Sequence, residues 1–71
     1  MDLVRVLGEN VRRERVRLGL TQDALALEAV MTRSYLSDLE RGTRNPSVHA
    51  LGLLARALQV EAADLLRAPP G

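Results

Sequence analysis

Polar side chains that can recognise another polar surface are concentrated in one short stretch, TRSYLSDLERGTRNP, residues 32–46. Three arginines, two serines and an aspartate lie within it. An arginine guanidinium is a planar fork that donates two hydrogen bonds at once to a phosphate or a guanine. The stretch therefore suits hydrogen-bonded recognition, although a helix side that simply faces water would have a similar composition.

The chain offers little for catalysis or cofactor chemistry. No nucleophile–base pair, glycine-rich phosphate loop or carboxylate constellation is visible, so we expect no enzymatic activity. His49 is the only histidine and cysteine is absent, so we expect no metal and no other cofactor or small-molecule ligand. We interpret His49 as an ordinary surface residue.

Length and composition favour one small cytoplasmic domain. The 71 residues suffice for a single domain, which we place at residues 1–67, followed by a disordered tail at residues 68–71. Hydrophobic residues make up 46% of the chain, which is typical of a folded domain rather than a disordered segment. No apolar run approaches the roughly 18 residues of a membrane span, and the start of the chain has no signal-peptide organisation. We therefore expect no association with membranes.

Cap residues and apolar spacing predict five helices. Thr21, Thr32 and Ser47 are N-cap candidates for the second, third and fourth helices. Gly19 and Gly42 are positioned to end the first and third. No alternating strand pattern is present, so the predicted fold class is all-α, a compact five-helix bundle.

The second and third helices have the spacing of a helix-turn-helix. Only about three residues join them, too few for an antiparallel pair in full contact, so they must pack at a steep angle. Leu36 and Leu39 mark the inward side of the third helix. The opposite edge carries four polar residues: Arg33, Ser34, Ser37 and Asp38. We interpret this edge as one that the bundle presents outward.

Three segments together resemble the phage repressor/Cro type of helix-turn-helix domain, the XRE family. They are LGENVRRERVRLGLTQDALA, SYLSDLERGTRNPS and LGLLARALQVEAADLL, and they cover nearly the whole chain. The stretch RSYLSDLERGTRNPS is particularly similar to restriction–modification controller proteins, which are small homodimers that bind their own promoter. The resemblance implies a lambda repressor-like domain that regulates transcription. Such a protein is a homodimer that binds double-stranded DNA at a near-palindromic operator through the major groove.

The resemblance also implies roles for individual residues. Those expected to meet base edges are Arg33, Ser34, Ser37 and Asp38. Those expected at the DNA backbone are Gln22, Arg41, Thr43, Arg44 and Asn45. Arg15 is expected to form an internal ion pair with Glu40, which would tie the first helix to the end of the recognition helix.

Two of the polar residues have alternative roles. Asp38 could accept a hydrogen bond from cytosine, or it could hold Arg33 in place. Tyr35 could contact a DNA phosphate through its hydroxyl group, or pack its ring at the edge of the domain. For the arginines and serines, the alternative is an ordinary solvated surface position.

The sequence departs from the family pattern in two places. The turn between the second and third helices usually carries glycine where this chain has Val30. A β-branched residue at positive φ is strained by about 1–3 kcal/mol, so the turn either bears this strain at Val30 or takes a different path. At the end of the fourth helix, Gln59 replaces the usual glycine and Glu61 the usual serine cap.

The chain has more leucines than so small a core can bury, which predicts a contact between two copies. Leu53, Leu65 and Leu66 are the residues that we expect in a two-fold interface through the fourth and fifth helices.

An alternative function for the same fold is an antitoxin or another protein-interaction module, which a neighbouring toxin gene would favour. A non-specific nucleoid protein is disfavoured by the net charge of only +1.

Overall fold

Five α-helices make up the part of the chain that the computed structural model describes, residues 2–68. They are α1 (Leu3–Arg17), α2 (Gln22–Glu28), α3 (Arg33–Glu40), α4 (Val48–Leu58) and α5 (Ala62–Leu66). Within this range there is no strand, and the all-α class and the helix count are confirmed. Residues 69–71 of the predicted tail lie outside the described range.

The first four helices begin where a side chain caps the backbone. Asp2 accepts hydrogen bonds from the amides of Val4 and Arg5 at the start of α1. Thr21, Thr32 and Ser47 each accept from the amide three residues later, at 3.0 Å. The three predicted caps are therefore confirmed, because a hydroxyl before a helix satisfies an amide that has no partner inside it.

Four residues with positive φ lie at or just after the helix ends. Gly19 and Gly42 follow α1 and α3 with φ of 72° and 76°, as predicted for residues that stop a helix in the left-handed conformation. Val30 and Gln59 adopt φ of 55° and 61° after α2 and α4. Of the two alternatives for the turn at Val30, the structure has the strained one, since the turn keeps a glycine-like conformation.

The core lies where all five helices meet. Its members are apolar residues that are at most 5% exposed: Leu7, Val11, Leu25, Ala26, Ala29, Leu36, Leu39, Leu54, Ala55, Leu58 and Leu65. Leu65 is 0% exposed, so it has no surface to offer a second copy. Its predicted place in a dimer interface is wrong, because α5 turns this leucine into the bundle and leaves Leu66 outside.

Gly8 allows α1 to lie directly against the end of α3. A Cβ added at Gly8 would lie 2.3 Å from the carbonyl oxygen of Leu39 and 2.9 Å from that of Glu40. No side chain fits at such distances. Close contact between the backbones of α1 and α3 thus fixes the position of α3 relative to α1.

Asn10 joins α1 to the end of α5. Its side chain is fully buried, and its amide nitrogen donates to the carbonyl oxygens of Leu65 and Arg67, both at 2.8 Å. Arg13 donates to its side-chain oxygen at 2.6 Å. Asn10 therefore satisfies two carbonyl groups at the C-terminal end of α5, where carbonyl groups have no partner within the helix.

Candidate nucleic-acid interface

The helix-turn-helix consists of α2, the turn at residues 29–32, and α3. The turn is closed by hydrogen bonds from the Val30 amide to the Leu27 carbonyl at 3.2 Å and from the Met31 amide to the Ala26 carbonyl at 2.9 Å. Both α1 and α2 pack against α3, on the side of its buried leucines. With these contacts behind it, α3 turns its other side away from the bundle.

The structure brings the four predicted base-reading residues to this outer side. Arg33 and Ser34 are exposed at the first turn of α3, and Ser37 and Asp38 are partly exposed one turn further on. The side chain of Arg33 is 66% exposed, so its guanidinium group is accessible from solvent. The edge inferred from helical spacing is therefore the outward edge of the folded domain.

Arg33 is paired with a residue of α2 and not with Asp38. Its Nε lies 3.6 Å from an Oδ1 atom of Asp23, near the start of α2. The hypothesis that Asp38 holds Arg33 in place is wrong, since the contacts of Asp38 are with Arg41 and Arg44. Asp23 carries no signal in the sequence for this role, because the pairing depends on how closely the first turns of α2 and α3 approach each other.

Asp38 belongs to a cluster at the far end of α3. Its carboxylate accepts a hydrogen bond from Arg41, and it lies 4.0 Å from a guanidinium nitrogen of Arg44. The guanidinium carbon of Arg44 lies 4.8 Å from the centre of the Tyr35 ring, which is within the range of a cation–π contact. The half-buried ring of Tyr35 therefore packs beneath Arg44, in line with the packing alternative for this residue.

Most of the residues predicted at the DNA backbone lie at the end of α3 and in the loop after it. The Thr43 amide and hydroxyl both donate to the carbonyl oxygen of Asp38, each at 3.0 Å, so Thr43 completes the end of the helix. Arg44 and Asn45 are exposed beyond it. Arg41, Arg44 and Asn45 thus continue the polar edge of α3 past its last residue.

Glu40 is the centre of a buried polar network behind this edge. Arg15 contacts it through two nitrogens, Nε at 2.7 Å and Nη2 at 3.1 Å, and Arg15 also donates to the carbonyl of Leu20 at 2.8 Å. The two side chains are only 13% and 3% exposed, so the predicted ion pair is present and largely shielded from water. Such a bidentate pair fixes both partners.

Gln22 joins the same network from the first residue of α2. Its side-chain nitrogen donates to Oε1 of Glu40 at 3.1 Å. Glu40 therefore links α1, α2 and α3 at one point, and this link sets the position of the start of α2 relative to the recognition helix. A contact of Gln22 with DNA stays a prediction.

The two remaining leucines predicted at a dimer interface lie in different grooves. Leu53 lines a groove beside the turn, with Val30, Tyr35 and His49. Leu66 lines another, with Leu3, Pro46, Val48 and Leu51 among its neighbours. A two-fold contact that contains both Leu53 and Leu66 does not follow from these positions, because the two leucines do not share a surface.

Residues 2–68 contain no group of three or more histidine, cysteine, aspartate or glutamate residues that could hold a metal ion. No helix there is long and apolar enough to cross a membrane.

Two helices joined by a short turn, with an arginine-bearing edge of the second turned outward, define a helix-turn-helix domain. Residues 11–65 match the family described as Helix-turn-helix (HTH_3). The chain belongs to this family, the XRE type of DNA-binding transcriptional regulator.

Relatives are found both by sequence and by structure. The uncharacterized HTH-type transcriptional regulator y4dJ of Sinorhizobium fredii is 42% identical over 66 residues, which are 93% of this chain and 86% of that protein. The control protein C.BamHI of Bacillus amyloliquefaciens is 42% identical over 62 residues, 86% of this chain and 76% of that protein. The crystal structure of the restriction–modification controller protein C.AhdI from Aeromonas hydrophila matches with a TM-score of 0.84 and 37% identity, over 87% of this chain and 94% of that one. The resemblance to the XRE family and to controller proteins is thereby confirmed.

Proposed function

We propose that this regulator is a homodimer that reads a near-palindromic operator in double-stranded DNA through the major groove. The observation that carries the proposal is the outward edge of α3, where Arg33 and Ser34 are exposed while α1 and α2 brace the opposite side. A recognition helix must be both accessible and rigidly held to enter a groove. Because such a regulator acts where the DNA is, we propose the cytoplasm as its location.

Base reading is assigned to the first two turns of α3. The guanidinium group of Arg33 can donate to O6 and N7 of one guanine, a pairing that discriminates against other bases by about 1–3 kcal/mol. Ser34 and Ser37 are short enough to hydrogen-bond whichever base edge lies opposite them. Arg33 therefore supplies the main base preference, and the two serines add smaller preferences.

Contacts with the DNA backbone are assigned to the residues that flank this edge. Arg41, Arg44 and Asn45 extend it beyond the end of α3, and Gln22 lies at the start of α2. Contacts with phosphates set the register of the protein on the duplex without reading its sequence. These residues would therefore fix the depth and angle at which α3 lies in the groove.

The surface beside Leu66 is the one that we assign to the contact between two copies. Leu66, Leu3 and Val48 are 36%, 51% and 85% exposed around one groove. Since Val48 closely follows the loop that carries Arg44, a two-fold contact here would bring the loops of both copies close to the dyad. On an operator, the two recognition helices must lie about 34 Å apart, one turn of the duplex.

Exchange of single apolar residues for glutamate tests the dimer surface. Val48→Glu places a charge in the proposed contact, so we expect a monomer in sedimentation and weaker binding to an operator. Leu27→Glu is the matched control, since Leu27 is 81% exposed on α2 and should leave the dimer intact. A dimer that persists in Val48→Glu, or that is lost in Leu27→Glu, would show that the contact lies elsewhere.

Selection of bound sequences from a random duplex library tests the DNA-binding proposal. We expect an inverted repeat as the consensus, and binding at least about 10³-fold tighter than to a scrambled duplex. Equal affinity for both duplexes would contradict sequence-specific regulation, and stable capture of a toxin without DNA binding would favour the antitoxin alternative. The similarity to control proteins makes the DNA just upstream of the protein's own gene the first place to look for this repeat.

A further inference from the structure

The arginines of the candidate interface are each in contact with an aspartate. Arg33 lies 3.6 Å from Asp23, and Asp38 contacts both Arg41 and Arg44. These pairs lie at the surface: the side chain of Asp23 is 78% exposed and that of Asp38 is 30% exposed. Two negative charges therefore lie among three positive charges, on the side that would face a polyanion.

Such an arrangement weakens binding that depends on charge alone. Non-specific affinity for DNA comes almost entirely from arginines and lysines that displace counterions from phosphates. A carboxylate beside each arginine repels the same phosphates and lowers the effective charge of the surface. Exposed ion pairs add little to the stability of the fold, about 0–1 kcal/mol, so a variant that lacks either carboxylate should still fold.

The same carboxylates also attract the arginines toward defined positions. The carboxylate of Asp23 lies 3.6 Å from Nε of Arg33, so its charge draws the guanidinium group toward the start of α2 without a hydrogen bond. Asp38 contacts Arg41 and Arg44, and the Tyr35 ring lies under the latter. An arginine held in one orientation loses less conformational entropy when it binds a partner in the matching position. Its interaction with a partner in the wrong position is weaker.

We propose that Asp23 and Asp38 are positioning residues that determine specificity, because their charge weakens binding to non-operator DNA while their contacts preserve the geometry used on the operator. This inference rests on the proposed function. It replaces a base-reading role for Asp38: this carboxylate acts on DNA through Arg41 and Arg44 and not through a cytosine.

Neutral variants of both aspartates test the inference. In Asp23→Asn and in Asp38→Asn, we expect binding to a scrambled duplex to tighten about three- to tenfold per protomer, with a salt dependence that steepens by about 0.9 per added phosphate contact. Operator binding should change by a smaller factor, because the gain in charge is offset by the loss of a fixed arginine. The ratio of the two affinities should therefore fall, as measured by fluorescence anisotropy at several salt concentrations.

Two further variants serve as controls. Asp64→Asn makes the same charge change on α5, where Asp64 contacts Arg67 at 2.6 Å, and it should leave the affinity ratio unchanged. Asp23→Glu keeps the charge and should restore the discrimination that Asp23→Asn loses. Thermal melts of all variants confirm that they are folded.

Each other outcome overturns the inference. Equal tightening on both duplexes would mean that the aspartates contribute only to net charge, and an unchanged affinity for scrambled DNA would mean that they do not face the duplex. A change of preference at a single operator base pair in Asp38→Asn would identify Asp38 as a base reader. The proposed function itself fails in a separate experiment, if the unaltered protein does not distinguish the operator from scrambled DNA.

Discussion

Replacement of Gly8 by alanine tests how α1 holds the recognition helix. A methyl group at this position would meet the backbone oxygens of Leu39 and Glu40 at 2.3 Å and 2.9 Å. Because both atoms belong to the backbone of α3, no rotation of a side chain can relieve the overlap. The two helices must instead separate by roughly 1 Å to restore an ordinary contact.

The size of the effect follows from two opposing terms. Forcing one extra carbon into a packed contact costs about 1–3 kcal/mol, and the upper end applies because backbone is displaced. Alanine recovers about 1 kcal/mol over glycine inside a helix. We therefore expect Gly8→Ala to lower the free energy of unfolding by about 2 kcal/mol, which lowers the melting temperature of a domain of this size by roughly 8–16 °C.

Gly52→Ala provides the matched control for this prediction. Gly52 also lies inside a helix, but a Cβ added there has no atom within 4 Å. This variant should therefore gain about 0.5–1 kcal/mol from helix propensity alone. Urea unfolding of both variants, followed by circular dichroism, measures the difference. If Gly8→Ala were as stable as Gly52→Ala, the close contact between α1 and α3 would not exist in solution.

The remaining predictions concern strain and buried polar groups. Val30→Gly should stabilise the domain by about 1 kcal/mol, because it removes the strain of a β-branched residue at φ 55°. Little packing is lost, since Val30 is 80% exposed. An unchanged or lower melting temperature would contradict this prediction. Asn10→Ala should destabilise it by about 1–3 kcal/mol, because the carbonyl groups of Leu65 and Arg67 lose their donor. Amide hydrogen exchange in that variant should rise first in α5, and uniform exchange across all helices would argue against the local role of Asn10.

Features that depend on local chemistry could be predicted from the sequence. Thr21, Thr32 and Ser47 cap helices because a hydroxyl just before a helix finds the same orphan amide in any fold. The outward edge of α3 followed from helical spacing for a similar reason. The Arg15–Glu40 pair was expected only from the family resemblance, since the two residues are far apart in the chain.

Features that depend on how helices pack could not be predicted in the same way. Leu65 and Leu66 are neighbours in a five-residue helix, and only the docking of α5 on α1 decides which of them is buried. The contact between Asp23 and Arg33 depends on the tilt between α2 and α3. Gly8 does carry a signal in the sequence, since an isolated glycine inside a helical pattern often marks a close backbone contact.

The central claim, that the outer edge of α3 reads bases through Arg33, is tested most directly by measuring the binding of Arg33→Ala to a set of duplexes with every single base change in the operator. We predict that the preference at one base pair in each half-site falls by about 1–3 kcal/mol while the preferences elsewhere remain. Arg44→Ala should instead weaken binding to all duplexes alike and reduce the salt dependence. An Arg33→Ala variant with the same preference as the unaltered protein at every position would contradict the account.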